Sequence, residues 1–143
     1  IRFLTIAKQG VDLFTSGLDQ AIAAEYIHSG AIHKHIPYIT ALYKPKRNAM
    51  LSALSNYFPK DATWTNPEGG MFVWATVKPT IDTAQLLQKT FKKNVAFVPG
   101  KPFFPNCIGK TVGINTMRLN FTNSSIENIQ KAIKVIGDEL QKM

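Results

Sequence analysis

The chain has 143 residues, 45% of them hydrophobic, enough for one core of ordinary size and too few for two complete domains. Its formal charge of +8 is the compositional outlier, yet the basic residues are scattered, with only Lys44, Lys46, Arg47 and the pair Lys92, Lys93 approaching clusters, which fits a solvated surface better than a nucleic-acid face. Cys107 stands alone, which excludes an internal disulfide and a Cys-rich zinc site and fits a reducing compartment.

No basic-then-apolar leader and no apolar run of about 18 residues is present, so a cytoplasmic location and no membrane partner are expected. The start at Ile1, without a methionine, reads as that of a fragment.

Residues 1–16 mix apolar and polar positions, after which Leu18, Ala21, Ile22, Glu25 and Tyr26 keep helical spacing until Gly30 breaks it. A longer helical stripe follows through Ile32, Ile36, Ile39, Tyr43, Met50 and Leu54, ended by Phe58 and Pro59. Pro37 suits a first turn. Pro45 lies well inside, where proline removes a backbone hydrogen bond and clashes with the preceding turn, so a bend is expected there.

The stretch PEGGMFVW (67–74) places Gly69 and Gly70 ahead of residues 71–77, a run apolar on both faces that suits a central strand. A glycine pair is costly to order, so it marks a tight turn or a close approach by another group. Asp82 and Gln85 form a capping-box pattern for a helix carrying Leu86, Leu87 and Phe91. Residues 95–98 read as a short strand stopped by Pro99 and Gly100. In residues 115–122, NTMRLNFT, Met117, Leu119 and Phe121 alternate with Thr116, Arg118, Asn120 and Thr122, giving a strand with one apolar and one polar face. Ser124 and Glu127 form a further capping-box pattern before the amphipathic stripe Ile126, Ile129, Ile133, Ile136 and Leu140. The expected order from residue 31 is therefore helix, strand, helix, strand, strand, helix: an α/β sandwich of helices packed on one small three-stranded sheet.

The spacing excludes the glycine-rich dinucleotide and P-loop phosphate cradles, the nucleophile elbow and the two-histidine zinc helix. His33 and His35, two apart on a helix, point to different sides and with His28 fit surface residues rather than metal ligands. Cys107 lacks a nearby histidine and fits an inert thiol. Arg118 is different: a strand fixes its guanidinium on the polar face beside Asn120, and such a planar fork matches a carboxylate through two hydrogen bonds. The residues alone leave open the plainer alternative, an arginine pairing with a glutamate or water.

In order and spacing, NPEGGMFVWATV, NVAFVPGKPFFP and NTMRLNFTNSSIENIQKAIKVIGDEL resemble the small C-terminal domain of fold-type I pyridoxal-phosphate aminotransferases, in the 2-aminoadipate and kynurenine aminotransferase-like branch. Residues 6–9 and the DLFTSGLDQAIAAEYI that follows (12–27) resemble the end of the large domain. The resemblance implies residues 1–30 as the end of the large domain and a linker, detached from a small domain of residues 31–143. It implies that Arg118 binds the substrate α-carboxylate, with Asn120 beside it. It also implies that the Gly69–Gly70 turn brings backbone near the substrate pocket, where a side chain would intrude. The partners implied are amino acid and 2-oxo acid substrates and a second copy in a homodimer.

Pyridoxal phosphate is the implied cofactor, but the family's Schiff-base lysine motif matches none of the 14 lysines, so that lysine is expected upstream and this chain alone is expected to be inactive. Two other readings compete: the aminotransferase-like effector domain of a transcriptional regulator, and a basic nucleic-acid module. The second lacks the stacking aromatics of an RNA-recognition strand, since Gly70 and Ala75 occupy their places.

Overall fold

In the computed structural model, which describes residues 1–105 and 112–143, the chain divides into two compact units, Ile1–Thr40 and Ala41–Met143. The division falls inside a helix. Cys107 lies outside the described residues.

The first unit holds α1 (Arg2–Val11), α2 (Gly17–His28) and the opening turns of α3 (Ala31–Tyr57). Ser16 caps α2 by accepting a hydrogen bond from the Asp19 amide. Gly30, with φ of +73°, takes the left-handed conformation that ends α2 and lets α3 begin. Neither α1 nor α2 buries a residue, and Phe3 and Leu18 stand 86% and 71% exposed. α3 is assigned as one helix through both Pro37 and Pro45.

In the second unit, β1 (Thr63–Trp64), β2 (Phe72–Thr76), β3 (Val98–Pro99) and β4 (Thr116–Asn120) form an antiparallel sheet in the order β1-β2-β4-β3. β1 was not expected; two residues are too few for alternation to show in a sequence. β3 begins where the expected strand ended and includes Pro99, which an edge strand tolerates because its missing N–H leaves no ladder bond broken. The longest pairing, β2 with β4, sets Val73 opposite Leu119 and Ala75 opposite Met117 on one face, and Phe72 opposite Asn120 and Trp74 opposite Arg118 on the other.

The first of these faces builds the core. Val73, Ala75, Met117 and Leu119 pack with Leu54 of α3, Leu86 of α4 (Thr83–Phe91), and Ile129, Ile133, Ile136 and Leu140 of α5 (Ile126–Leu140). Each of these side chains larger than Ala75 contributes about 1.5–3 kcal/mol when fully removed from water. Asp82 caps α4 through the Ala84 amide. The cap of α5 is Ser125, accepting from the Asn128 amide, one residue later than the Ser124 expected. Ser124 and Ser125 are chemically equal, so only tertiary placement chooses between them.

Two close approaches in the loop before β4 require glycine. A Cβ at Gly100 would collide with Thr116, and one at Gly113, which has φ of +76°, would enter the ring of Phe104. Both glycines hold the loop of Phe103 and Phe104 against β4. Among the described residues no helix is long and apolar enough to cross a membrane.

Candidate functional site

On the sheet face opposite the core, Arg118 of β4 lies between Trp74 of β2 and Val98 of β3, its register partners on either side. Its guanidinium carbon stands 4.2 Å from the centroid of the Phe72 ring and 4.8 Å from that of Phe103. Phe103 comes from a one-turn 3-10 helix, Lys101–Phe103, and meets Trp74 edge to face at 5.4 Å. The Phe104 ring is 6.1 Å from the Trp74 ring, which extends the aromatic collar.

The guanidinium Nε is buried without a hydrogen-bond partner, the one such side-chain atom among the described residues. An unpaired buried donor costs about 1–3 kcal/mol. Two ring faces near a cation return roughly 0.5–2 kcal/mol, enough to make the arrangement tolerable. None of the ion pairs among the described residues includes Arg118. Nη1 and Nη2 make no hydrogen bond or ion pair with another described residue, and unlike Nε neither is a buried unpartnered atom. A planar guanidinium has the geometry to pair with a carboxylate or another planar oxyanion through two hydrogen bonds.

Asn120 shares that face, paired with Phe72. Its Oδ1 is occupied locally, accepting from the Thr122 amide at 2.9 Å, the Thr122 hydroxyl at 3.1 Å and the Asn123 amide at 3.2 Å. These bonds fix the turn into α5, and only the Asn120 amide nitrogen is left for a ligand. Gly69 and Gly70 are exposed, and a Cβ on either meets nothing within 4 Å in this chain. Packing therefore does not demand them, whereas the φ of +78° at Gly70 does favour glycine there.

Two residues first seen only as part of a basic cluster shape the site's borders. Arg47 donates from Nη1 to the Pro67 carbonyl at 2.8 Å, and Lys46 donates from Nζ to the Thr122 carbonyl at 2.8 Å. Adjacent positions of α3 thus anchor the loop before the glycine pair and the loop after β4. Spacing gave no signal of this, because backbone carbonyls leave no trace in a sequence. Trp74, Phe72 and Phe103 were read as strand and loop residues, and their convergence on Arg118 needed the register.

His35 sits between the rings of Tyr26 and Tyr38, at 6.4 and 6.1 Å, and no cluster of three His, Cys, Asp or Glu side chains that could hold a metal occurs among the described residues. Pyridoxal phosphate finds no lysine seat among them either. Every described lysine but Lys46 is on the surface, and the ammonium of Lys46 is taken by Thr122. The residues present fit a carboxylate and do not fit the cofactor.

Helices layered on one side of a small antiparallel sheet, with an arginine held among aromatic rings on the other, define an α/β domain whose open face carries a partly buried guanidinium. No family model matches the chain. It is 49% identical over 142 residues to aromatic-amino-acid aminotransferase 1 of Thermococcus litoralis, covering 99% of this chain and 33% of that protein. The crystal structure of Pyrococcus horikoshii kynurenine aminotransferase superposes with a TM-score of 0.81 at 42% identity, covering 99% of this chain and 34% of that one. An HTH-type transcriptional regulator of Bacillus subtilis, YdfD, is 32% identical over 137 residues, covering 96% of this chain and 27% of the regulator. The chain spans about a third of the length of the relatives it matches. It has the sequence and fold of the C-terminal portion of fold-type I pyridoxal-phosphate-dependent aminotransferases.

Proposed function

We propose that this chain is the substrate-carboxylate-binding portion of an aminotransferase, with Arg118 gripping the α-carboxylate of an amino acid while its amino group passes to a 2-oxo acid. The observation that carries this reading is the partly buried guanidinium of Arg118, close to the Phe72 and Phe103 rings and bonded to none of the described residues. Pyridoxal phosphate supplies the electron sink of such a transfer, and in this reading residues outside the chain hold it. The chain's own share is to bind and orient the substrate.

Gly69, Gly70 and the Asn120 amide nitrogen complete the binding edge in this proposal, residues 1–30 close the large domain, and the intact protein is a cytoplasmic homodimer with no nucleic-acid partner. The test is steady-state kinetics of the intact protein with a panel of L-amino acids against 2-oxoglutarate, repeated for Arg118→Ala and Arg118→Lys. Unchanged kinetics in Arg118→Ala would remove the assignment.

The similarity to an HTH-type regulator favours one second reading, an effector domain that binds an amino acid and passes the signal to a DNA-binding segment. The sequence preceding Ile1 in the parent protein separates the two: a winged-helix segment supports the regulator, a large domain alone the enzyme.

A further inference from the structure

We propose that Phe72 and Phe103 are positioning residues for Arg118: their rings clamp the guanidinium so that its two terminal nitrogens, and not its Nε edge, meet the substrate. This inference rests on the reading of Arg118 as the carboxylate partner.

The geometry supports it from three directions. Both ring centroids lie within 5 Å of the guanidinium carbon, close enough for a cation to be held by the electron-rich ring faces. The Nε–H is buried and unpaired, so the side-on edge of the fork is closed to a carboxylate and the end-on edge is the one that remains. The rings themselves are restrained. Phe72 is fixed by its strand opposite Asn120, and Phe103 is braced edge to face by Trp74, the direct partner of Arg118 across the β2–β4 pair. An arginine steered in this way reaches its ligand with less rotamer freedom left to lose, which strengthens binding without a new contact.

The experiment measures KM and kcat of the intact protein for its best amino acid substrate, with Phe72→Leu and Phe103→Leu made in wild-type and Arg118→Lys backgrounds. Each leucine keeps apolar volume and removes a ring. The expected result is a KM raised about 3- to 10-fold by each change, with kcat within about twofold. In the Arg118→Lys background the same changes add less than about twofold, because the planar group they steer is gone. Phe72→Trp restores the KM.

In the 143-residue chain, the Arg118 Nε–Hε NMR signal is expected upfield and slow to exchange, moving downfield and exchanging faster in either leucine variant. Where a leucine variant does not fold, 3,4,5-trifluorophenylalanine at the same position keeps the shape, weakens the ring face and decides the matter by the same KM shift.

A full KM effect that persists in the Arg118→Lys background, or an unchanged KM in both ring variants while Arg118→Ala loses activity, overturns the positioning role and leaves the carboxylate assignment standing. An Arg118→Ala variant with wild-type kinetics overturns both.

Discussion

Gly137 of α5 lies directly against the backbone carbonyl of Tyr57, the last residue of α3, and a Cβ there would collide with it. The contact lets two helices approach at backbone distance, so the missing side chain is structural. Gly137→Ala gains helix propensity of roughly 1 kcal/mol and loses about 1–3 kcal/mol to overpacking against atoms that cannot move aside. Net destabilisation is expected in urea unfolding of the chain. A variant more stable than wild type would show that α5 shifts freely on α3.

Arg118 offers the largest functional effect. In the proposed role its truncation leaves a substrate carboxylate unpaired in a partly desolvated site, an expected loss of about 2–5 kcal/mol, or roughly 30-fold to several-thousand-fold in kcat/KM. Arg118→Lys keeps the charge and gives up the two parallel hydrogen bonds, so it recovers only part. A change within about threefold for Arg118→Ala would return Arg118 to a structural role.

Gly69 and Gly70 separate folding from function. Gly69→Ala is expected to leave the chain's unfolding midpoint unchanged, since its Cβ meets nothing, while Gly70→Ala loses about 1 kcal/mol to its positive φ. In the intact protein both are expected to raise KM for the amino acid. A wild-type KM in Gly69→Ala would show that the turn stands clear of the substrate.

Glu139 is an acid-sensitive group. Hydrogen bonds from Lys142, at 2.8 Å, and Lys93, at 2.6 Å, pull its carboxyl down from the ordinary 4.5 to about 2, against the opposing effect of burial. The folded form thus holds its charge more tightly than the unfolded form does. The stabilisation is complete above pH 4.5 and drains away as pH falls toward 2. Thermal melts across that window are expected to show wild type losing more stability than Glu139→Gln, the two curves converging at the acid end. Parallel curves would contradict the coupling.

The isolated chain is expected not to retain pyridoxal phosphate. After mixing and dialysis, the visible spectrum should return to that of the protein alone. A cofactor band that survives dialysis and maps to one lysine would overturn this expectation.

Much of the fold was legible because the core follows two simple periods. Val73, Ala75 and Val77 alternate, as do Met117, Leu119 and Phe121, and Ile129, Ile133, Ile136 and Leu140 repeat at helical spacing; all are buried. Arg118 was legible from the same alternation. Its cage was not, because Phe72 and Phe103 are 31 positions apart in the numbering and meet only through the β2–β4 register and the glycine-held loop. The roles of Lys46 and Arg47 were hidden for a related reason: their partners are main-chain carbonyls brought near by the fold. At Asn120 the sequence showed which face it occupies but not that its carbonyl oxygen is already taken by the following turn.

The strand order β1-β2-β4-β3 carries a consequence for biosynthesis. The central pair joins residues 40 to 48 positions apart, and the core on its apolar face is completed only when α5 arrives behind it in the chain. Pairing of distant segments must meet the entropy of loop closure before any burial rewards it. A nascent chain released before α5 is made therefore leaves the core around Val73, Met117 and Leu119 incomplete, an unfinished domain open to chaperones and proteases. Premature stop codons in α5 should accordingly lower cellular protein level far more than their small loss of mass implies.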